Sequence, residues 1–126
     1  MKIRNDFITN SSSTSYVISF DSKGFDLENP FVKICWKFMI GDGTFIKSKE
    51  DLDNHFIDYY GYRGCETLEL IIDNEPYLEE FYNEIKNELE NGRFVLKREV
   101  DYNDETTYSI IDELAREKYI KILQRD

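Results

Sequence analysis

The stretch of sequence that decides the predicted fold is FVKICWKFMIGDGTFIK, residues 31–47. Apolar side chains alternate along its first ten residues, which is typical of a β-strand with one strongly apolar face. That face consists of Val32, Ile34, Trp36, Phe38 and Ile40. The two glycines of residues 41–43 supply the backbone freedom of a tight turn, and residues 44–47 can return antiparallel. The stretch therefore predicts a β-hairpin.

Other short apolar or alternating segments predict further strands. They are residues 16–20, residues 67–72 and residues 93–102. Residues 106–111 can pair back on the last of these, although the period of their apolar side chains does not distinguish a strand from a helix.

Two segments contain the start, the apolar stripe and the end of a helix. Ser48 is a suitable N-cap for a helix over residues 49–60, which Gly61 ends. Residues 76–90 begin with a proline among acidic side chains. Their apolar stripe has helical spacing and consists of Leu78, Phe81, Tyr82, Ile85 and Leu89. The tail from about residue 111 also has apolar positions at helical spacing.

This order of elements predicts an α+β fold, with a mostly antiparallel sheet of about five or six strands and two or three helices packed on one face. A chain of 126 residues is long enough to build a hydrophobic core, so we expect a single domain over residues 1–126. The order lacks the strict alternation of strand and helix that a doubly wound nucleotide-binding fold needs.

The net charge of −10 is concentrated in the middle of the chain. Residues 73–90 contain Lys86 and seven acidic side chains, which gives a net charge of −6. Such a field repels the phosphate backbone, which argues against direct binding to nucleic acid, and it attracts a protein partner with a basic surface. No apolar run approaches the roughly 18 residues of a membrane span, and the first residues lack the apolar part of a secretory signal. We therefore expect a cytoplasmic protein that binds no membrane.

The sequence contains no recognisable catalytic or cofactor-binding motif. The nucleophile motifs GxSxG and SxxK are absent, and so are the glycine-rich phosphate-binding motifs. Cys35 and Cys65 have no CxxC spacing, and a single histidine excludes a site built on several histidines. We therefore predict no catalytic residue, no cofactor and no metal. The alternative is a small enzyme with an unrecognised site around His55, using Asp51 and a cysteine.

Two surfaces are candidates for binding a partner. The polar side of the helix over residues 76–90 carries a row of carboxylates, namely Glu79, Glu80, Glu84 and Glu88. Like charges four residues apart destabilise a helix by a few tenths of a kcal/mol per pair, so the row is compatible with docking as well as with plain solvation. The second candidate is a glycine-flanked loop in which Tyr60, Tyr62 and Arg63 are typical interface anchors.

The first 20 residues, MKIRNDFITNSSSTSYVISF, resemble the N-terminal segment of small proteins of Gram-positive bacteria and their phages. The matching positions are residues 1–4, 6–7, 9–13, 15 and 17–18, whereas Thr14 and Tyr16 depart from the pattern. The resemblance implies a phage or mobile-element setting and no particular activity. As local structure, the hydroxyl-rich residues 9–15 predict a turn, and a processing or modification signal is the alternative.

Together these features favour a non-catalytic, acidic binding protein of the phage or mobile-element type. Its most specific form is an inhibitor, similar in kind to anti-CRISPR proteins, that places the acidic helix in the basic channel of a nucleic-acid-handling defence enzyme of the host. A structural or self-assembling protein is a further alternative, and the sequence leaves the oligomeric state open.

Overall fold

The computed structural model describes residues 13–21 and 23–126. In chain order, the elements are β1 (Ser13–Phe20), α1 (Pro30–Ile40), β2 (Thr44–Ile46), α2 (Lys49–Tyr60), α3 (Leu68–Asn74), α4 (Tyr77–Glu90), β3 (Phe94–Asp101), α5 (Glu105–Arg116) and β4 (Ile120–Arg125). The four strands of this part of the chain form an open antiparallel sheet in the order β2-β3-β1-β4. The α+β class is therefore confirmed, although the described residues contain more helices and fewer strands than predicted.

Contacts between residues divide the chain into two units. The sheet unit takes its residues from Met1–Phe45 and Leu96–Asp126, and the helical unit is Ile46–Val95. The helical unit contains α2, α3 and α4, whereas α1 and α5 belong to the sheet unit. This division does not test the expectation of a single domain over residues 1–126, which stays a prediction.

Strand β1 lies inside the sheet of the sheet unit, between β3 and β4. It pairs antiparallel with β4, so that Tyr16 lies opposite Arg125 and Phe20 opposite Ile120. All side chains of residues 16–20 are buried. Helices α1 and α5 contact each other. The buried apolar side chains of this unit come from strands and helices alike and include Ile18, Met39, Leu96, Val100, Ile111 and Leu114.

Residues 31–40 belong to helix α1, so the predicted hairpin over residues 31–47 is wrong. Asn29 caps this helix, because its side-chain oxygen accepts hydrogen bonds from the backbone N–H groups of Phe31 (2.9 Å) and Val32 (3.5 Å). Pro30 occupies the first helical position, where its fixed φ suits a helix start. This Asn-Pro pair is the local helix signal that the alternation of apolar side chains conceals.

The end of α1 is held by Gly41 and by Arg98 of β3. The Arg98 guanidinium donates from Nε to the carbonyl of Met39 at 3.1 Å and from Nη2 to the carbonyl of Phe38 at 3.4 Å. Gly41 has a φ of 45°, and a Cβ at this position would lie 2.5 Å from the guanidinium of Arg98. Both the backbone conformation and this close approach therefore require glycine.

The predicted strand over residues 67–72 is also wrong, because these residues overlap helix α3. The Thr67 hydroxyl caps α3 by accepting a hydrogen bond from the Leu70 N–H at 3.3 Å. So short an apolar segment fits the period of a strand as well as that of a helix. The Thr67 cap and the burial of Ile71 are the features that go with the helix.

The C-terminal segment resolves the ambiguity over residues 106–111, which are helical and belong to α5. Asp104 caps α5, accepting hydrogen bonds from the Thr107 N–H at 3.1 Å and the Thr107 hydroxyl at 2.6 Å. The predicted tail helix ends at Arg116, and β4 follows after Lys118, which has a φ of 65°.

Several other predictions are confirmed. The helix over residues 49–60 has the predicted bounds, and the Ser48 hydroxyl accepts from the Asp51 N–H at 3.1 Å. The helix over residues 76–90 and the strand over residues 93–102 correspond to α4 and β3. Residues 16–20 lie in β1, which already begins at Ser13. Residues 13–15 of the hydroxyl-rich segment are therefore strand, and residues 9–12 lie outside the described residues.

Candidate acidic binding surface

The helical unit carries most of the negative charge of the chain. Residues 46–95 contain 13 acidic and 5 basic side chains, a net charge of −8 compared with −10 for the whole chain. Helices α2, α3 and α4 contact one another in pairs. Acidic side chains that are far apart in the sequence therefore belong to one small helical assembly.

Helix α4 has an apolar inner side and an acidic outer side. Its buried apolar residues are Leu78, Tyr82 and Ile85. The predicted site residues Glu79, Glu80 and Glu84 are all exposed. Glu79 and Glu80 lie in the first turn, where negative charge is stabilised by the helix dipole, and Glu84 follows Glu80 by one turn. We call these three exposed glutamates the acidic surface.

The fourth predicted carboxylate, Glu88, is placed differently. It is only 8% exposed. Its Oε1 accepts a hydrogen bond from Nε of Arg93 at 3.1 Å, and this contact is an ion pair within the helical unit. A carboxylate that is buried against its own arginine offers little charge to a partner, so we leave Glu88 out of the acidic surface.

Further exposed carboxylates lie on the other two helices of the unit. They are Glu50, Asp51 and Asp58 of α2 and Glu69 and Asp73 of α3. The sequence signal for the first four of them is the net charge of −4 over residues 48–72, and Asp73 begins the acidic segment of residues 73–90. The predicted strand over residues 67–72 conceals this grouping. Because these residues form helix α3 instead, Glu69 and Asp73 belong to the same three-helix unit as the acidic residues of α2.

The tyrosine-rich loop forms a tight turn at the end of α2. Tyr62 and Cys65 exchange two backbone hydrogen bonds, of 3.1 and 2.8 Å, and Gly64 between them has a φ of 87°. Tyr62 is 58% exposed, and Arg63 is exposed at the tip. A hydrogen bond with the Cys65 thiol raises the pKa of the Tyr62 hydroxyl. The turn therefore presents a tyrosine and an arginine to solvent.

The third predicted anchor, Tyr60, is half-buried. Its ring centroid lies 5.0 Å from that of Phe56 and 4.8 Å from that of Tyr59, so Tyr60 mainly packs within the unit. Tyr59 and Tyr77 are also exposed, by 58% and 65%, although neither was a predicted anchor. Tyr77 begins α4 and lies three residues before Glu80, on the same side of the helix.

A hydrogen-bonded cluster joins α2 to α4. The Tyr82 hydroxyl donates to Oδ1 of Asp53 at 2.5 Å, and Nζ of Lys49 donates to Oδ2 of Asp53 at 2.8 Å. Burial opposes the ionisation of Asp53, but the hydrogen bonds from Lys49 and Tyr82 outweigh it and hold the pKa of Asp53 below its ordinary value. Burial and the bond to Asp53 raise the pKa of Tyr82. This cluster fixes α4, and hence the acidic surface, on α2.

Replacing Tyr82 with phenylalanine is expected to lower the free energy of unfolding by about 1 kcal/mol at pH 7, because it removes one hydrogen bond to a carboxylate. The bond stabilises the fold above the pKa of Asp53 in the unfolded chain, and its contribution disappears as the pH falls through the lower pKa of the folded state. Tyr82→Phe should therefore raise the pKa of Asp53 and cost little at acid pH. NMR titration and denaturation at both pH values measure these effects.

Tyr77→Phe is the matched control, because it removes the hydroxyl of an exposed tyrosine from the same helix. It should change neither the stability nor the pKa of Asp53. An Asp53 titration that is the same in wild type and Tyr82→Phe would contradict the assignment of this hydrogen bond.

The residues proposed for the enzyme alternative have structural contacts. The His55 ring stacks on Tyr59, with centroids 5.5 Å apart and an angle of 16° between planes. The Asp51 carboxylate accepts from the Lys47 N–H at 3.1 Å at the start of α2. Both cysteines are free, and the Cys65 sulfur lies 3.1 Å from Nδ2 of Asn74. Across residues 13–21 and 23–126, no three His, Cys, Asp or Glu side chains are grouped so that they could hold a metal ion.

The sheet unit contains an open groove with a volume of about 540 Å³. Its lining residues are Thr14, Tyr102, Asn103, Glu105, Tyr108 and Ser109. The Tyr108 hydroxyl contacts Oγ1 of Thr14 at 2.7 Å and the carbonyl of Val100 at 3.1 Å. Thr14, one of the positions that depart from the N-terminal pattern, therefore ties β1 to α5. None of the predicted site residues lines this groove.

Comparisons of the chain with protein-family models, with curated proteins and with solved structures found no match. The class of protein is therefore defined by the fold and the surface alone: an α+β protein with an acidic helical unit. In the described part of the chain, none of the helices combines the length and the apolar character that crossing a membrane requires.

Proposed function

We propose that the chain is a non-catalytic binding protein that docks the acidic surface on a basic surface of another protein. The observation that carries this proposal is the net charge of −8 on residues 46–95, together with the exposure of Glu79, Glu80 and Glu84 on one helix. Charge complementarity accelerates association and selects partners of opposite charge, whereas the same charge disfavours direct contact with a nucleic-acid backbone.

Exposed aromatic side chains supply the short-range contacts that charge alone does not. Tyr77 lies on the same side of α4 as Glu80 and Glu84, and it is 65% exposed. Tyr62 and Arg63 are exposed on the turn after α2 of the same unit. Tyrosine and arginine are the residues most often found as binding anchors, so we assign Tyr77, Tyr62 and Arg63 this role.

The most specific form of the proposal is an inhibitor of a nucleic-acid-handling defence enzyme, produced by a phage or mobile element. Channels that bind nucleic acid are lined with lysine and arginine side chains that neutralise phosphates. Exposed carboxylates at helical spacing can occupy such a channel and exclude its substrate. The phage setting is supported by the resemblance of residues 1–20, and the inhibitory role by the charge of the helical unit.

The test is affinity capture from the lysate of a Gram-positive bacterium on the immobilised full chain, with elution by increasing salt and identification by mass spectrometry. We expect a basic, nucleic-acid-handling protein that binds at low ionic strength and elutes as the Debye length falls from about 10 Å at 0.1 M salt to about 3 Å at 1 M. Capture of only neutral or acidic proteins, or retention that salt does not weaken, would contradict the proposal.

A further inference from the structure

The groove of the sheet unit is built from three neighbouring parts of the chain. They are the start of β1, the turn after β3 and the first two turns of α5, and they contribute Thr14, then Tyr102 and Asn103, and then Glu105, Tyr108 and Ser109. The volume of about 540 Å³ lies in the range of pockets that bind small ligands. The lining combines aromatic rings with a few polar groups, which is typical of a binding site.

Two of the lining residues, Thr14 and Tyr108, are hydrogen-bonded to each other and leave an acceptor unused. The Tyr108 hydroxyl has one proton, and it lies 3.1 Å from the carbonyl oxygen of Val100 and 2.7 Å from Oγ1 of Thr14. Because a carbonyl oxygen only accepts, Tyr108 donates to Val100, and the Thr14 hydroxyl donates to the Tyr108 oxygen. Oγ1 of Thr14 then retains a lone pair for a donor in the groove.

Three further lining residues present unused groups. Within residues 13–21 and 23–126, the Glu105 carboxylate and the Asn103 side-chain amide are exposed and have no hydrogen-bond or ion-pair partner. Tyr102 is 68% exposed, and its ring stacks on no other ring of this part of the chain. The groove therefore offers a carboxylate, an amide and the face of an aromatic ring.

The charge of the lining favours a cation. Glu105 carries a negative charge, and none of the six lining residues is basic. The net charge of −10 on the chain acts in the same direction. A ligand with a phosphate or carboxylate group is therefore disfavoured.

The start of α5 does not reverse this preference. The positive end of its helix dipole is balanced by Asp104, which accepts a hydrogen bond from the Thr107 N–H at 3.1 Å. The hydrogen bonds from Thr107 hold the pKa of Asp104 below its ordinary value, so its carboxylate is ionised at neutral pH. The guanidinium of Arg98 also acts on Asp104, but it is bonded to the carbonyls of Met39 and Phe38 at the end of α1.

We propose that the groove binds the guanidinium group of an arginine side chain in a polypeptide. A guanidinium is planar and permanently charged, so it can stack on the ring of Tyr102 and donate two hydrogen bonds to the Glu105 carboxylate. Its other N–H groups have acceptors in Oγ1 of Thr14 and the amide oxygen of Asn103. The groove is larger than a guanidinium alone requires, which leaves room for the aliphatic part of the side chain and the adjoining backbone.

The contact should be weak, because the groove is open and its charged and aromatic groups are exposed. We expect a dissociation constant on the order of 1 mM for a single arginine. The groove belongs to the sheet unit and the acidic surface to the helical unit, so this site goes beyond the proposed function.

An NMR titration of the isotope-labelled full chain with Nα-acetyl-arginine amide, up to about 20 mM, tests the proposal. The backbone N–H signals of Asn103, Glu105 and Ser109 should shift together with one dissociation constant. The matched probe is Nα-acetyl-citrulline amide, which has nearly the same shape without the charge and should bind at least about fivefold more weakly. Nα-acetyl-lysine amide keeps the charge but lacks the planar group, and it should bind about threefold more weakly.

Variants of the lining separate the two main contacts. Glu105→Gln removes the charge at nearly constant size and should weaken binding by about fivefold. Tyr102→Ala should also weaken binding by about fivefold, whereas Tyr102→Phe keeps the ring and should stay within about twofold of wild type. Glu117→Gln changes an exposed glutamate of the same unit outside the groove and should bind like wild type. Circular dichroism should be the same for all four variants.

Equal binding of the arginine and citrulline probes would overturn the selection of a cation. The absence of shifts up to about 20 mM, or shifts that Glu105→Gln and Tyr102→Ala leave unchanged, would overturn the site. The N–H signals of Glu79, Glu80 and Glu84 report binding of the same probe to the acidic surface. The two proposals therefore fail separately.

Discussion

Replacing Phe56 with alanine is expected to lower the free energy of unfolding by about 3–5 kcal/mol. Phe56 is fully buried in the helical unit. Its ring centroid lies 5.0 Å from that of Tyr60, 5.3 Å from that of Tyr82 and 6.0 Å from that of Phe81. Removing the ring leaves a cavity between α2 and α4 that rigid aromatic neighbours cannot fill by small shifts. Chemical denaturation followed by circular dichroism measures the change.

Tyr77→Ala is the control for this experiment, because it removes an aromatic ring that is 65% exposed and should cost less than about 1 kcal/mol. Equal losses for both variants would contradict the central position of Phe56. Phe56 supports the inner side of α4. Phe56→Ala should therefore also lower the population of molecules in which α4, and with it the acidic surface, is folded in its native position.

The helices α2 and α4 could be predicted from the sequence because independent local signals agree in them. Ser48 and Gly61 mark the start and the end of α2, and an apolar stripe at helical spacing lies between the acidic start of α4 and its end at Asn91. Where cap, stripe and end coincide, no distant contact is needed to identify the element.

Helix α1 could not be predicted in the same way, since it is apolar on both sides. Such a segment satisfies the period of a strand and that of a helix. The Asn29-Pro30 start is a local signal for the helix. Tertiary contacts support it: Trp36 packs on Phe20 with centroids 5.2 Å apart, and Arg98, 58 residues beyond Ile40, holds the end of the helix. The strand interpretation placed Ile34 and Phe38 together on one strongly apolar face, whereas the helix leaves them 52% and 40% exposed.

The sequence correctly predicted exposed glutamates on α4, but only three of the four predicted glutamates are exposed. Exposure of Glu79, Glu80 and Glu84 follows from the stripe of α4. Glu88 lies three residues after Ile85, on the inner side, and its burial depends on Arg93 beyond the end of the helix. A helical projection alone does not show that a carboxylate at the edge of the apolar stripe is buried and paired with an arginine of the same chain.

Reversing two charges of the acidic surface, Glu80→Lys with Glu84→Lys, is expected to weaken binding to a basic partner by about 30-fold at physiological ionic strength. An exposed ion pair contributes about 0.5 kcal/mol, and reversal replaces this attraction by repulsion of similar size, so each reversal costs about 1 kcal/mol and two cost about 2 kcal/mol. The probe is an immobilised arginine-rich peptide, which reproduces the chemistry of a nucleic-acid channel. The same measurement should then be made with any partner identified by capture.

The matched control is Glu99→Lys with Glu117→Lys, two exposed glutamates of the sheet unit. Both double variants change the net charge from −10 to −6, so they differ only in where the charge is reversed. We expect the control to weaken binding by less than about threefold, because its charges lie outside the contact and are screened within a Debye length of about 8 Å. Equal losses in the two variants would show that the partner responds to net charge alone, and the acidic surface would then have no specific role. A loss confined to Glu80 and Glu84 would instead assign the contact to α4, because the two proteins carry the same total charge.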